Sequence, residues 1–177
     1  LSSAASDVYK RQVQTLSDFF RASLNSGKDI VSLEGECRHI TSYLQIQQVR
    51  YQDILTYDVD IPEEIANCKI PKITLQPLVE NALYHGIKNK RGKGRIVVTG
   101  RREKDKCVIR VEDNGIGMTK ERLNQVRGGL TTKIEDSNDF YGLYNVNERI
   151  RLKFGEEYGL SIDSVLQEGT CLSLIHI

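Results

Sequence analysis

No apolar run in this chain approaches the ~18 residues that a membrane-crossing helix needs, and no secretion-signal pattern opens it. A membrane segment within these residues is therefore not expected. The four cysteines (Cys37, Cys68, Cys107, Cys171) include no C-x-x-C pair, and none has a histidine at metal-ligand spacing. That argues against a zinc module or a disulfide framework and predicts buried thiols in a reducing, cytoplasmic setting. Net charge is nearly absent: 25 Lys and Arg against 24 Asp and Glu leave +1, and no basic stripe carries interleaved aromatics. A nucleic-acid partner is accordingly not expected. Repeats and low-complexity tracts are missing too. What is present is a 177-residue chain with 39% hydrophobic residues, enough for one globular domain and a modest appendage.

The ends look different from the middle. Leu1–Gln12 has no apolar period and Ser173–Ile177 closes the chain abruptly. Both read as adapter-like sequence outside the fold, so the chain is expected to be an interior piece of a longer protein. Val13–Leu24 carries Val13, Leu16, Phe19, Phe20 and Leu24 at helical spacing, and Asn25-Ser26-Gly27 stops it. A second helix is predicted over Leu33–Tyr51, with Ser32 as its cap and Glu34 and Glu36 at the positive end of its dipole. The two predict an antiparallel hairpin packed on something else, a pattern shared by dimerisation helices and simple core helices.

From Ile54 onward strands alternate with helices. Strands are predicted at Leu55–Asp60, Arg95–Arg101, Lys106–Asp113, Leu160–Leu166 and Thr170–Leu174. Helices are predicted at Ile73–Gly86, with Thr74 as cap, at Thr119–Arg127, closed by Gly128-Gly129, and at Gly142–Phe154. Strands that pair antiparallel, with helices on one face, make an α+β sandwich.

The stretch Val108–Met118 (VIRVEDNGIGM) carries the sharpest signal. Cys107, Ile109 and Val111 alternate with Val108, Arg110 and Glu112, so Asp113 falls on the apolar face and looks inward at the strand end. A half-buried carboxylate needs donors, and a ligand amino group is one. Gly115 and Gly117 let the backbone bend and a flat ligand approach. In the helix at Ile73–Gly86, Leu75, Leu78, Val79, Ala82 and Leu83 form the core face, and Asn81 and His85 stack four apart on another. Glu80 lies roughly 100° round the helix from Asn81. Mid-helix Asn is a poor helix former but a good ligand for a hard metal ion. The polar stretch Thr119–Phe140 is a candidate lid. It ends where Gly142 opens a helix whose free N–H groups can hold phosphate.

Four segments stand in order: LQPLVENALYHGI at 75–87, VEDNGIGM at 111–118, GLYNVNERIRLKFG at 142–155 and LQEGT at 166–170. In that order they resemble the N, G1 and G2 boxes and the closing Gly-Thr of the ATP-binding catalytic domain of sensor histidine kinases. Within the superfamily shared with gyrase, Hsp90 and MutL, they are most similar to the LytS/YesM type of two-component kinase. The similarity covers about Val13–Leu172. It implies a Bergerat-type fold, a two-layer sandwich of a mixed, mainly antiparallel sheet with helices on one face. Residues 54–177 would form the catalytic domain and 13–53 part of the dimerisation and phosphoacceptor helices.

The resemblance further implies ATP and Mg²⁺ as ligands, with Asn81 holding the metal and Asp113 accepting the adenine amino group. Gly115, Gly117 and Met118 would shape the adenine pocket, and Thr170 would support Asp113. Gly142 and Leu143 would meet the phosphates, with His85 and Lys88 on the phosphate side, and Glu80 would polarise the attacking imidazole. The implied partners are a response regulator and a second copy in the intact, membrane-anchored parent. The sequence departs from the family pattern at Phe140, where a glycine is usual, and in lacking the His-Phe-x-x-Asn acceptor motif. His39, His85 and His176 all stand in other contexts, so the acceptor histidine is expected outside this chain. Pro77 occupies the place of the water-activating Glu of gyrase-like ATPases, which argues against the hydrolase alternative. A non-catalytic nucleotide-binding or dimerisation module is the other alternative.

Overall fold

A computed structural model gives the fold and describes residues 13–17, 29–51, 54–132 and 141–176. In chain order, β1 (Ile30–Ser32) leads into α1 (Leu33–Arg50), then β2 (Leu55–Asp60), α2 (Glu63–Ala66) and β3 (Lys69–Pro71). Next come α3 (Leu75–Asn81), a π-helical continuation (Ala82–Ile87), β4 (Gly94–Glu103) and β5 (Lys106–Asp113). The chain closes with α4 (Lys120–Thr131), α5 (Tyr141–Phe154), β6 (Gly159–Val165) and β7 (Gly169–His176).

Period-two alternation builds one five-stranded sheet in the order β2-β4-β5-β7-β6. β2 runs parallel to β4, and the other neighbours pair antiparallel. Ile96, Val98, Ile109, Val111, Leu172 and Leu174 are buried on one face, in one core with Leu78, Leu83, Val126, Val146 and Ile150 of the helices. On the other face Thr99, Arg110 and Ser173 sit in register across three strands and are only partly buried. The expected two-layer α+β sandwich is therefore observed, with helices over one face and a polar face opposite.

Helix α1 starts as predicted: the Ser32 hydroxyl accepts from the Gly35 N–H at 3.2 Å, and Leu33, Ile40 and Leu44 are fully buried. Residues 13–17 are helical, whereas Phe19, Phe20 and Leu24 of the expected preceding helix lie outside the described residues. So do Leu1–Gln12 and Phe140.

Several boundaries differ from expectation for physical reasons. β1, β3 and α2 are too short to show a period, and β1 and β3 exist as an antiparallel ribbon because each satisfies the other. Gly128 and Gly129 do not close α4, which runs to Thr131. Leu130 is buried in the core, and its carbonyl accepts from the Asn147 amide at 2.7 Å, which holds the extra turn in place. The described part of the expected lid is thus mostly helix. Ser173–His176 are not outside the fold: they extend β7 along β5 as far as the His176–Cys107 pair, with Leu174 and His176 fully buried. No helix among the described residues is long and apolar enough to cross a membrane.

Candidate functional site

Helix α3 carries one wall of the site, and its start is held from outside. Thr74 does not cap it, contrary to expectation: its hydroxyl donates to the Pro71 carbonyl at 2.6 Å. The cap is Glu36 of α1, a buried carboxylate that accepts from the backbone N–H groups of Ile73, Thr74 and Leu75 at 2.7, 2.8 and 3.0 Å. Three converging N–H donors and the positive helix end satisfy that charge. Ile73 has φ of 57°, an uncommon left-handed value for a β-branched residue. The Glu36 contacts and Arg149, which donates to the Lys72 and Ile73 carbonyls at 3.0 and 2.8 Å, hold it there.

The helix is α-helical only to Asn81 and then widens into a π turn, seen in the Lys88 N–H bonding to the Leu83 carbonyl at 2.8 Å. That change separates Asn81 from His85, which an unbroken α-helix would have stacked. Asn81 is buried, only 8% exposed, while His85 and Lys88 face solvent. Among the described residues, no hydrogen bond engages the Asn81 side-chain amide, so its oxygen remains available to a ligand.

The π turn brings Gly86 against the end of β5. A Cβ at Gly86 would lie 2.4 Å from Asp113 Oδ1, and one at Gly115 would lie 2.4 Å from the Gly86 backbone. Only glycine permits this approach. Asp113 points inward as its alternation predicts and is 8% exposed. Its Oδ1 accepts from the Gly115 N–H at 2.8 Å. Burial pushes the carboxyl up to about 6, against the opposing pull of the Gly115 and Thr170 backbone bonds and the Lys90 charge. Lys90, a residue no spacing rule singled out, donates to the Asn114 carbonyl next door.

Gly117, Thr170 and Met118 are the other residues expected on the adenine side. Gly117 has φ of 61°, and a Cβ there would meet the Val165 carbonyl oxygen at 1.9 Å. Thr170 stands opposite Asp113 in the β5–β7 register, and its hydroxyl is 2.9 Å from Ser164 Oγ. Met118 packs at the margin of the core.

At the other end, Gly142, the second described residue of α5, lies beside α3: a Cβ at Gly142 would lie 3.6 Å from Pro77 Cβ. Pro77 is one turn before Asn81, so the α5 start and the Asn81 amide border the same region. Leu143 is buried in the core, which leaves only its backbone for a ligand. Glu80 is half-buried and accepts from the Gln76 side-chain amide at 2.9 Å. The structure thus packs Gly86 and Gly115 on Asp113, sets Gly142 against Pro77 one turn before Asn81, and leaves His85 and Lys88 exposed.

Sequence reasoning also missed Asn147, which joins α5 to α4 and accepts from the Leu160 N–H at 2.8 Å. A separate cleft of about 720 Å³, bordered by Val31, Gly35, Arg38 and Lys72 among others, shares none of the predicted site residues.

Fold and site together define a Bergerat-type nucleotide-binding class: a carboxylate at a strand end, glycines packed on it, and an asparagine on the facing helix. Comparisons with known proteins agree. The family model described as histidine kinase-, DNA gyrase B- and HSP90-like ATPase matches residues 71–177, and one described as histidine kinase matches residues 2–55. The chain belongs to the histidine kinase-, DNA gyrase B- and HSP90-like ATPase family.

Among relatives, it is 37% identical over 161 residues to sensor histidine kinase YesM of Bacillus subtilis, covering 90% of this chain and 26% of that protein. It is 35% identical over 150 residues to sensor histidine kinase BtsS of Escherichia coli, covering 85% and 24%. The chain therefore spans about a quarter of the length of these relatives. In fold it resembles the histidine kinase domain of a blue-light activated kinase from Erythrobacter litoralis, with TM-score 0.60, 14% identity and coverage of 94% and 73%. It also resembles the catalytic domain of histidine kinase ThkA, with TM-score 0.62, 9% identity and coverage of 83% and 95%.

Proposed function

We propose that this chain is the ATP-binding catalytic part of a two-component sensor histidine kinase, passing the γ-phosphoryl group of Mg·ATP to a histidine outside these residues. The observation that carries this reading is the buried Asp113 carboxylate, packed on Gly86 and Gly115 beside the helix that bears Asn81. Asp113 accepts from the adenine amino group, a donor suited to a carboxylate that water barely reaches. Gly117 and Met118 flank the base, and Thr170 lines the same strand end. Asn81 offers its free amide oxygen to a divalent cation.

Among the described residues no group of three His, Cys, Asp or Glu is placed to hold a metal. A cation here would therefore rest on Asn81 and on phosphate oxygens, the mode Mg²⁺ favours. When bound, Mg²⁺ neutralises the charge that develops on the transferring phosphoryl group. The backbone N–H groups at Gly142 and Leu143 face the phosphates, with the exposed His85 and Lys88 as outlying cations. Glu80 takes the proton of the acceptor imidazole. Pro77, lacking any group to accept a proton, supports transfer over hydrolysis. The same reading gives the intact protein a response regulator as partner, a homodimer joined through residues 13–53, and a cytosolic position for residues 54–177.

Mixing the chain with Mg·ATP and a separate polypeptide carrying the His-Phe-x-x-Asn motif tests the reading. Acid-labile, base-stable phosphohistidine on the acceptor is expected. ATP binding with no transfer to any acceptor would instead favour the non-catalytic nucleotide-binding module.

A further inference from the structure

Glu80 does not stand alone. Its Oε1 accepts from Gln76 Nε2 at 2.9 Å, and Gln76 Oε1 lies 2.6 Å from Nε2 of His39, a buried residue of α1. The direction of this chain follows from the groups themselves. A carboxylate can only accept, so Gln76 must turn its NH₂ toward Glu80 and its carbonyl toward His39. A carbonyl also only accepts, so His39 must carry a proton on Nε2 and donate it. The order His39 to Gln76 to Glu80 is therefore fixed without any choice of amide flip.

The relay has a second anchor. Glu36, one turn before His39 on the same helix, grips the start of α3 through three N–H groups. Helix α1 thus holds α3 at its first residues and again at the side chain that aims Glu80.

We propose that His39 and Gln76 are positioning residues for Glu80, forming a hydrogen-bonded relay through which helix α1 sets the direction of that carboxylate. The relay rests on the reading of Glu80 as the group that meets the acceptor imidazole. It assigns α1 a part in the chemistry that its sequence, an ordinary amphipathic helix, does not disclose. A displacement of α1 along its axis breaks the His39–Gln76 bond and leaves Glu80 free to rotate away.

The test uses the whole chain, Mg·ATP and the separate acceptor, with ATP affinity measured by calorimetry alongside the rate of phosphohistidine formation at saturating ATP. Gln76→Leu is expected to slow transfer about 10- to 100-fold, the cost of a misplaced catalytic group, with ATP affinity within about twofold of wild type. The double variant Gln76→Leu/Glu80→Gln should be no slower than Glu80→Gln alone, because Gln76 acts through Glu80. His39→Gln keeps an N–H donor and should retain most of the rate, whereas His39→Leu should match Gln76→Leu. Multiplying losses in the double variant, equal losses in the two His39 variants, or full activity of Glu80→Gln would each overturn the relay.

A readout independent of transfer separates this proposal from the kinase reading. The Gln76 side-chain amide NMR signals should move in His39→Leu and Glu80→Gln and stay near wild type in His39→Gln. If they stay still in all three, the relay is refuted even where transfer occurs. If wild type makes no phosphohistidine, the kinase reading falls and these signals still decide whether the relay exists.

Discussion

Replacing Asp113 with Asn should make the nucleotide-free protein more stable and the nucleotide complex weaker. Burial raises this carboxyl from 3.8 to about 6 despite two backbone hydrogen bonds and a nearby lysine. At about 1.4 kcal/mol per pH unit, that displacement means that the ionised side chain costs the folded state about 3 kcal/mol at neutral pH. The sign follows from proton counts. Between about pH 4 and pH 6 the folded state binds more protons at this site than the unfolded state, so wild-type stability falls as pH rises through that window.

Asn has no such titration, and its oxygen can keep the bond from the Gly115 N–H. The stability difference between variant and wild type should therefore be small near pH 4 and approach about 3 kcal/mol above pH 7. Urea denaturation at a series of pH values measures it. The same change turns an NH₂ donor toward the adenine amino group, so ATP affinity should fall by about 1–3 kcal/mol, roughly 5- to 150-fold. A variant less stable than wild type at pH 8, or one that binds ATP as tightly, would refute the placement of this carboxylate.

Three further outcomes follow from the same geometry. Gly86→Ala puts a methyl 2.4 Å from Asp113 Oδ1, so the π turn must shift; calorimetry should show ATP binding reduced at least tenfold, with a stability loss of about 1–3 kcal/mol. Asn81→Ala should abolish the Mg²⁺-dependent part of ATP affinity while leaving Mg²⁺-free binding in place, which titrations with and without EDTA would show. Glu36→Gln replaces an acceptor-only carboxylate that serves three N–H groups, and thermal or chemical denaturation should register a loss of about 1.5–3 kcal/mol.

Much of the fold was legible because alternation and capping are local. Lys106–Asp113 and Leu55–Asp60 have the predicted bounds, Ser32 caps α1 as expected, and Asp113 faces inward as its parity requires. The unread elements are those whose reason lies elsewhere in the chain. β1 and β3 are each a few residues long and are strands only because they pair. Gly128 and Gly129 look like a helix stop until Asn147 and the core hold Leu130. Ser173–His176, a run that looked foreign, is held by the β5 edge.

By itself, the order of residues determined which faces are apolar, where the carboxylate ends its strand, and which glycines leave room beside it. Those properties repeat over two or four residues, so they are written into the chain locally. Only the tertiary structure decided that α3 would widen after Asn81, that Glu36 would cap it, and that His39 would reach Glu80 through Gln76. Each of those is a contact between residues remote in sequence, and its free energy exists only once the sheet and helices have closed on one another.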